Sequence, residues 1–354
     1  MTPSLKIVLE LQRLLRHNEA RHPRLTQLFW ESTLRCNAHC LHCGSDCTCS
    51  SIAPDMRKDD FLKVIDEEIT PHVDTHKTMI IISGGEPLMR NDLEEVGREL
   101  YNREYPWGIV TNGIAMTPAR FERLLAAGLR SMSVSLDGLE ADHLWLRQHP
   151  LAYEGAVRTI QLCGAHQPLT YDVITCVTPR IINKLSQIEE LLVSLQVPAW
   201  RLVSIEPMGR AATNPELLLS SAQLKQLLDF IDGGHRINVS YGCSGFLGDY
   251  EGRVRDHLHH CAAGISVASI LIDGSISACT SIRGKYYQGN IYKDSFWDVW
   301  EHRFEPYRHR AWMRKKEPCR DCKVWRYCEG DGMHLRSEEG DLLRCHYNQL
   351  LEVG

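Results

Sequence analysis

A chain of 354 residues with 43% apolar and 24% charged residues has enough material for one large domain, or for a barrel with a smaller module. Its net charge of -5 gives no electrostatic case for nucleic acid. Its longest apolar runs, such as Met79 to Ile82, are far too short to span a bilayer. Fourteen cysteines are many for a chain whose charged N-terminus lacks the uninterrupted apolar stretch of a signal peptide. They read as metal ligands in a reducing cytoplasm rather than as disulfides.

The first 24 residues predict an amphipathic helix, with Ile7, Val8, Leu11, Leu14 and Leu15 along one stripe. From 25 to 215 short β-rich runs alternate with helical stretches. Strands are expected at 27–33, 78–83, 108–111, 130–135, 170–177 and 200–205, and helices at 58–70, 91–103, 117–127, 153–166 and 183–195. Six strands alternating with helices imply an α/β fold with a parallel sheet and right-handed crossovers. Such sheets carry their working loops at the strand C-terminal ends. Five short motifs fall there: the first cysteines, SGGEP at 83–87, TNG at 111–113, SLDG at 135–138 and PMGR at 207–210. After that the alternation stops. Residues 216–242 are expected to be a linker helix region, and 243–354, rich in Gly, Cys and aromatic residues, a second module. A basic stretch at 303–316 reads as a solvated helix face or a landing site for an acidic partner.

Cys36, Cys40 and Cys43 are spaced C-x3-C-x2-C. Soft thiolates select iron–sulfur clusters or zinc. Three ligands in one loop leave a four-iron cube with one iron open, whereas a structural zinc site wants four ligands. Cys47 and Cys49 follow closely enough to supply a fourth, so a closed site stays open at this point.

The triplet after a first strand, followed by GGEP, TNG, SLDG and PMGR, resembles the radical S-adenosylmethionine (radical SAM) superfamily across about 25–210. The resemblance implies a partial (β/α)6, TIM-like barrel. It also implies a [4Fe–4S] cluster on Cys36, Cys40 and Cys43 whose open iron is chelated by SAM. Reductive cleavage of SAM then gives a 5′-deoxyadenosyl radical that takes a hydrogen atom from substrate. Matched by motif, Gly84, Gly85 and Glu86 resemble the segment that holds the SAM amino group. Asn112 and Ser135 resemble rim residues near its ribose and carboxylate, and Arg147 lies where relatives carry an arginine facing SAM. Asp137 reads as a turn or cap residue. Cys47 and Cys49 are candidates to donate a hydrogen atom to a substrate radical, while Cys163 and Cys176 read as core.

The later cysteines, Cys261-x12-Gly274-x4-Cys279, then Cys319-x2-Cys322-x5-Cys328, then Cys345, resemble the SPASM extension, which binds auxiliary clusters. The resemblance implies one complete auxiliary cluster on Cys319, Cys322, Cys328 and Cys345. For a second cluster Cys261 and Cys279 match, Cys243 is a candidate third ligand, and Gly332 stands where relatives have a further cysteine. His334, two residues on, is a candidate replacement, since imidazole also ligates iron. Sulfatase-maturing relatives carry an acidic residue after the cysteine matching Cys279. Here it is Thr280, a poor base, which argues against that activity. The 35 residues before Cys36 are too few for the winged-helix peptide-binding domain of several relatives. The expected function is radical modification of a peptide or protein side chain, with a small metabolite as the alternative substrate and a non-catalytic electron-transfer protein behind both. Flavodoxin or ferredoxin is the expected reductant.

Overall fold

The computed structural model describes residues 1–242, 245–282 and 284–353. The N-terminal helix α1 (Pro3–Arg21) starts at Thr2, whose hydroxyl accepts the Leu5 N–H, with Pro3 in the first turn where a missing N–H costs nothing. Seven parallel strands follow in chain order: β1 (Gln27–Thr33), β2 (Met79–Gly84), β3 (Trp107–Thr111), β4 (Leu129–Ser135), β5 (Thr170–Val177), β6 (Ala199–Ser204) and β7 (Asn238–Tyr241). The crossovers carry α2 (Lys58–Val64), α3 (Leu93–Asn102), α4 (Pro118–Ala126), α5 (Glu140–Arg147), α6 (Ala152–Gly164), α7 (Leu185–Ser194) and α8 (Ser221–Ile231). Helix α2 runs on through a wider turn at Ile65–Ile69. Apolar alternation packs the sheet against these helices: Trp30, Trp107, Trp200, Phe61 and Phe121 are all fully buried.

Neighbouring strands pair in sequence order without a β1–β7 contact, so the barrel is partial. The expected six strands are present, and 216–242 is more than a linker helix: it holds α8 and a seventh strand, β7. The C-terminal module is joined to the barrel through backbone. Its strand β8 (Val267–Ile270) pairs parallel with β1, Gln27 facing Val267 and Trp30 facing Ile270. Strands β9 (Ser275–Ser277) and β10 (Gly289–Asn290) then extend that edge antiparallel. One ten-stranded sheet thus runs through both halves. It sets the loop after Cys279 beside the barrel mouth. No helix among the described residues is long and apolar enough to cross a membrane.

Helix α1 packs on the C-terminal module through Leu5 and Leu9, against Phe246 and Val324. The stripe expected to be its apolar face points the other way, into solvent. The basic stretch is largely structural. Arg308 donates to the carbonyls of Gly264, Glu301 and Trp300, and Arg310 to those of Tyr307, Asp331 and Cys261.

Candidate functional site

The loop after β1 carries the first three cysteines into a cavity of about 330 Å³ at the C-terminal ends of the strands. Backbone and side-chain hydrogen bonds pin it. The Cys36 N–H donates to Thr48 O at 3.1 Å, and the Leu41 N–H to Leu146 O at the end of α5 at 2.9 Å. From the PMGR motif, Arg210 Nε donates to Cys40 O at 2.7 Å and its Nη1 to Cys47 O at 3.0 Å. Gly209 (φ +54°) makes this clamp possible, since a Cβ there would stand 2.3 Å from Cys43 O. Cys36 and Cys40 are buried, and burial pushes the Cys36 thiol up to about 12 and that of Cys40 upward too. Cys43 is half-buried, and a hydrogen bond from Cys47 brings its thiol down to about 5. Three sulfurs gathered in one cavity are apt for a soft metal cluster, which displaces the remaining protons on binding.

Next around the rim, the glycines of SGGEP meet protein backbone. A Cβ on Gly84 (φ +128°) would stand 2.2 Å from Thr33 O, and one on Gly85 2.3 Å from Arg35 O. Glu86 is buried, and burial pushes its carboxyl upward. Its oxygens accept from Thr111 Oγ1 (2.7 Å), Leu88 N (3.1 Å) and Asn112 N (2.7 Å). Glu86 therefore fixes the TNG loop. That loop in turn aims Asn112 Nδ2 at Asn37 Oδ1, 2.8 Å away, and toward Cys36 Sγ at 3.8 Å.

On the far wall Arg147, the last residue of α5, donates through Nε to Asp137 Oδ2 at 2.5 Å, and its Nη1 lies 3.8 Å from Cys40 Sγ. Both members of this pair are buried. Burial would raise the Asp137 carboxyl, but Arg147, His42 and His143 outweigh it and hold it at about 2. Asp137 Oδ1 also accepts the Cys176 N–H at 2.8 Å. His42, Asp137 and Cys176 bring ligand-type atoms within 4.8 Å of one another. The Asp137 oxygens are already engaged, so the trio forms wall rather than a metal site. Buried His42 Nδ1 has no hydrogen-bond partner among the described residues, and burial holds its imidazole down at about 4. An imidazole with its Nδ1 free among the described residues, lining the cavity, suits a bound organic cofactor.

In the C-terminal module, Cys319, Cys322, Cys328 and Cys345 act electrostatically on one another. Burial, Asp331 and the Cys345 and Cys319 sulfurs push the Cys328 thiol up. Burial, Asp331 and the Cys319 and Cys322 sulfurs bring that of Cys345 to about 12. Arg336 Nη2 donates to Cys319 Sγ at 3.1 Å. Cys261 and Cys279 form a second neighbourhood: burial, with Cys261 alongside, raises the Cys279 thiol, whereas at Cys261 burial is outweighed by Arg310 together with backbone hydrogen bonds from Met333 and Ala263, which lower its thiol. The His334 ring covers Gly332, since a Cβ at that glycine would meet His334 Cε1 at 2.6 Å and Nδ1 at 2.9 Å. The imidazole thus fills the space a side chain at 332 would need. Cys243 lies outside the described residues.

Comparison with known proteins follows the same division. The Radical SAM superfamily matches residues 30–192, and the iron-sulfur cluster-binding SPASM domain matches residues 261–323. The chain carries a radical SAM domain followed by a SPASM module. AdoMet-dependent heme synthase of Methanosarcina barkeri is 27% identical over 340 residues, 91% of this chain and 94% of that protein. Mycofactocin maturase MftC of Mycolicibacterium smegmatis is 26% identical over 314 residues, 86% of this chain and 77% of that protein. The solved structure of anSMEcpe with bound AdoMet shares the fold, with a TM-score of 0.71 at 19% identity over 93% of this chain and 95% of that one. As a radical SAM protein with a SPASM module, the chain takes a [4Fe–4S] cluster, SAM and auxiliary iron–sulfur clusters.

Of the residues read from the radical SAM motifs, Cys36, Cys40, Cys43, Gly85, Glu86, Asn112, Ser135 and Arg147 all line the cavity, as does Cys47. Gly84 sits behind it against β1, and Cys49 is exposed outside it. Cys176, expected in the core, is in the wall, whereas Cys163 is in the core against Met132. Asp137 is the buried partner of Arg147 rather than a simple turn residue. His42, Met208, Arg210 and Ser281 join the site without having been singled out as ligand contacts. Position in the sequence signals His42, which sits between the second and third cysteines and enters the cavity with them.

Two tests of this scaffold follow. Gly84→Ala is expected to destabilise the fold by more than about 3 kcal/mol, because the obstructing atom is a strand carbonyl. Gly234→Ala, with no atom within 4 Å, should stay within about 0.5 kcal/mol; chemical denaturation compares them. At the seam between modules, Glu206 Oε1 lies 2.7 Å from Ser204 Oγ and 3.3 Å from His346 Nε2, with Oε2 3.6 Å from Arg344 Nη1. Burial opposes its charge, but His346, Arg344 and Ser204 hold it at about 2. A depressed carboxyl contributes stability above its unfolded pKa and loses it as pH falls through the folded one. Glu206 should therefore supply about 3 kcal/mol that disappears between roughly pH 5 and pH 2. Glu206→Gln should flatten the stability–pH curve over that window, as read by denaturation at stepped pH.

Proposed function

We propose that the chain uses its cluster and SAM to remove a hydrogen atom from a side chain of its substrate, and that the auxiliary clusters accept the electron left behind. One observation carries this reading. The cavity lined by the three barrel cysteines also reaches Ser281, two residues after Cys279 of the auxiliary module. The barrel site and an auxiliary site therefore open onto the same space. Cys36, Cys40 and Cys43 would hold the cluster, which when loaded with SAM supplies a carbon-centred oxidant. Glu86, Asn112 and Ser135 fix the rim, and the Asp137–Arg147 pair keeps a cation beside Cys40. Cys319, Cys322, Cys328 and Cys345 would hold one auxiliary cluster. Cys261, Cys279 and His334, with Cys243, would hold the other. Thr280 and Ser281 hydroxyls are directed at the Cys279 sulfur, which leaves Thr280 no role as a base. Buried Cys47 in the cavity wall is the hydrogen-donor candidate.

Two substrates fit. A peptide side chain is supported by likeness to the mycofactocin maturase. A tetrapyrrole side chain is supported by the end-to-end match to the heme synthase, and the wider coverage of that match weighs toward it. A low-potential flavodoxin or ferredoxin in the cytoplasm would supply the electron. Mass spectrometry after incubation with SAM, dithionite and either an iron porphyrin precursor or a peptide encoded beside this chain separates the two. A mass loss or cross-link in one substrate, with stoichiometric 5′-deoxyadenosine, assigns the class. Turnover of neither, with no 5′-deoxyadenosine, contradicts the reading.

A further inference from the structure

Helix α1 carries an apolar face that no described residue covers. Ile7, Val8, Leu11, Leu14 and Leu15 are 64, 49, 57, 54 and 59% exposed. Elsewhere large exposed apolar side chains stand singly, such as Ile52, Leu151 and Tyr292. Scattered ones are ordinary, but a contiguous set marks an interaction surface. Rolling the helix inward would not hide the stripe without undoing the opposite side. There Leu9 is buried with Phe246 and Val324. Arg16 is buried too, donating to His259 O at 3.4 Å and lying 3.6 Å from Glu329.

The spacing of the stripe specifies its occupant. Counted from Leu11, aliphatic residues stand three and four positions away in both directions: Val8 and Ile7 toward the N-terminus, Leu14 and Leu15 toward the C-terminus. Polar residues stand one position away on both sides (Glu10, Gln12) and seven positions away on both sides (Ser4, Asn18). The pattern reads the same forward and backward. It is also the alternating three- and four-residue spacing with which helices pack pairwise. An identical helix laid antiparallel, with a two-fold axis through Leu11, sets Leu11 on Leu11, Ile7 on Leu15 and Val8 on Leu14. Such a surface is self-complementary, as a two-fold interface requires. We propose that this face pairs with the same face of a second copy of the chain.

The exposed stripe amounts to about 500 Å² per copy, so the pair buries about 1,000 Å² at most, below the standard size of a stable interface. The dimer is therefore reversible, with a dissociation constant in the micromolar range. A membrane surface is the poorer occupant. The polar residues bordering the stripe include Glu10, Gln12 and Glu19, and of the four Lys and Arg residues of the helix, Lys6, Arg13, Arg16 and Arg21, Arg13 and Arg16 are engaged with Glu10 and Glu329. An interfacial helix instead needs free lysines and arginines along its border.

Sedimentation velocity of the anaerobically loaded full chain, up to about 100 µM, is the test. Wild type should pass from monomer to dimer with concentration. Leu11→Glu should stay monomeric throughout, a weakening of at least about 100-fold, with iron content and melting temperature unchanged because the side chain is exposed. Ile7→Glu alone should also abolish the dimer. Combining it with Leu15→Lys should restore it, since the two introduced charges face each other across the two-fold axis only in the antiparallel arrangement. A wild-type chain that is monomeric at the highest concentration, or a dimer indifferent to Leu11→Glu, overturns the proposal. So does Leu11-dependent binding to phosphatidylglycerol vesicles by a chain that stays monomeric.

Discussion

Cys40→Ala is expected to lower the iron content of the anaerobically prepared protein by about four atoms per chain and to reduce SAM cleavage to background. The cause is geometric as much as chemical. Cys40 lies between the clamp that Arg210 makes on its carbonyl and the Arg147 guanidinium near its sulfur, which holds that sulfur in the cavity wall. Two remaining ligands cannot hold a four-iron cluster that already leaves one iron open. The auxiliary clusters should survive, because their cysteines belong to separate segments joined to the barrel through β8. Cys49→Ala is the matched control: its side chain is exposed and outside the cavity, so iron and turnover should match wild type. Iron analysis and chromatographic detection of 5′-deoxyadenosine read both effects. Retained iron in the Cys40 variant would mean that the first cluster sits elsewhere.

Asp137→Asn should destabilise the chain by about 3–5 kcal/mol, the cost of leaving one member of a buried ion pair uncompensated. The isosteric amide keeps the shape, but Arg147 then holds a full charge, buried beside Cys40, without its counter-ion. Replacing both, Asp137→Asn with Arg147→Met, should cost less than the single change, because the stranded charge is gone. Such non-additivity is the mark of a direct pair. Denaturant titration of the two variants and wild type measures it. A single-variant loss under about 1 kcal/mol would show that water reaches the pair and relieves it. The double variant should still bind SAM more weakly than wild type, since Arg147 lines the cavity.

Much of this was legible in the sequence, for identifiable reasons. Strands β1 and β5 occupy their expected spans because β-rich runs there are bounded by clear polar breaks. The cysteine triplet is legible because Cys36, Cys40 and Cys43 share one short loop. Helix α5 was missed: it has eight residues and follows SLDG directly, leaving little room for a periodic signal. With it went the depth of Arg147, which depends on where that helix ends. Strand β7 is four residues long and too short to announce itself. The pairing of β8 with β1 joins segments some 240 residues apart, which no local pattern encodes. Cys176 reads as core in the sequence because free cysteine behaves as a small apolar residue. In β5, burial alternates between fully buried and half-buried positions. Ile174 and Cys176 share the half-buried side, which here is the inside of the barrel mouth. At the GGEP glycines the demand comes from the neighbouring backbone, the carbonyls of Thr33 and Arg35.

The central claim is that the loop of Cys36, Cys40 and Cys43 holds a cluster with one iron free for SAM. Electron paramagnetic resonance of the dithionite-reduced protein, with Cys319, Cys322, Cys261 and Cys279 replaced by alanine to silence the auxiliary sites, examines it alone. A [4Fe–4S]⁺ signal whose g-values move when SAM is added is the result expected. A signal that SAM leaves unchanged, or no cluster signal at all, would contradict it.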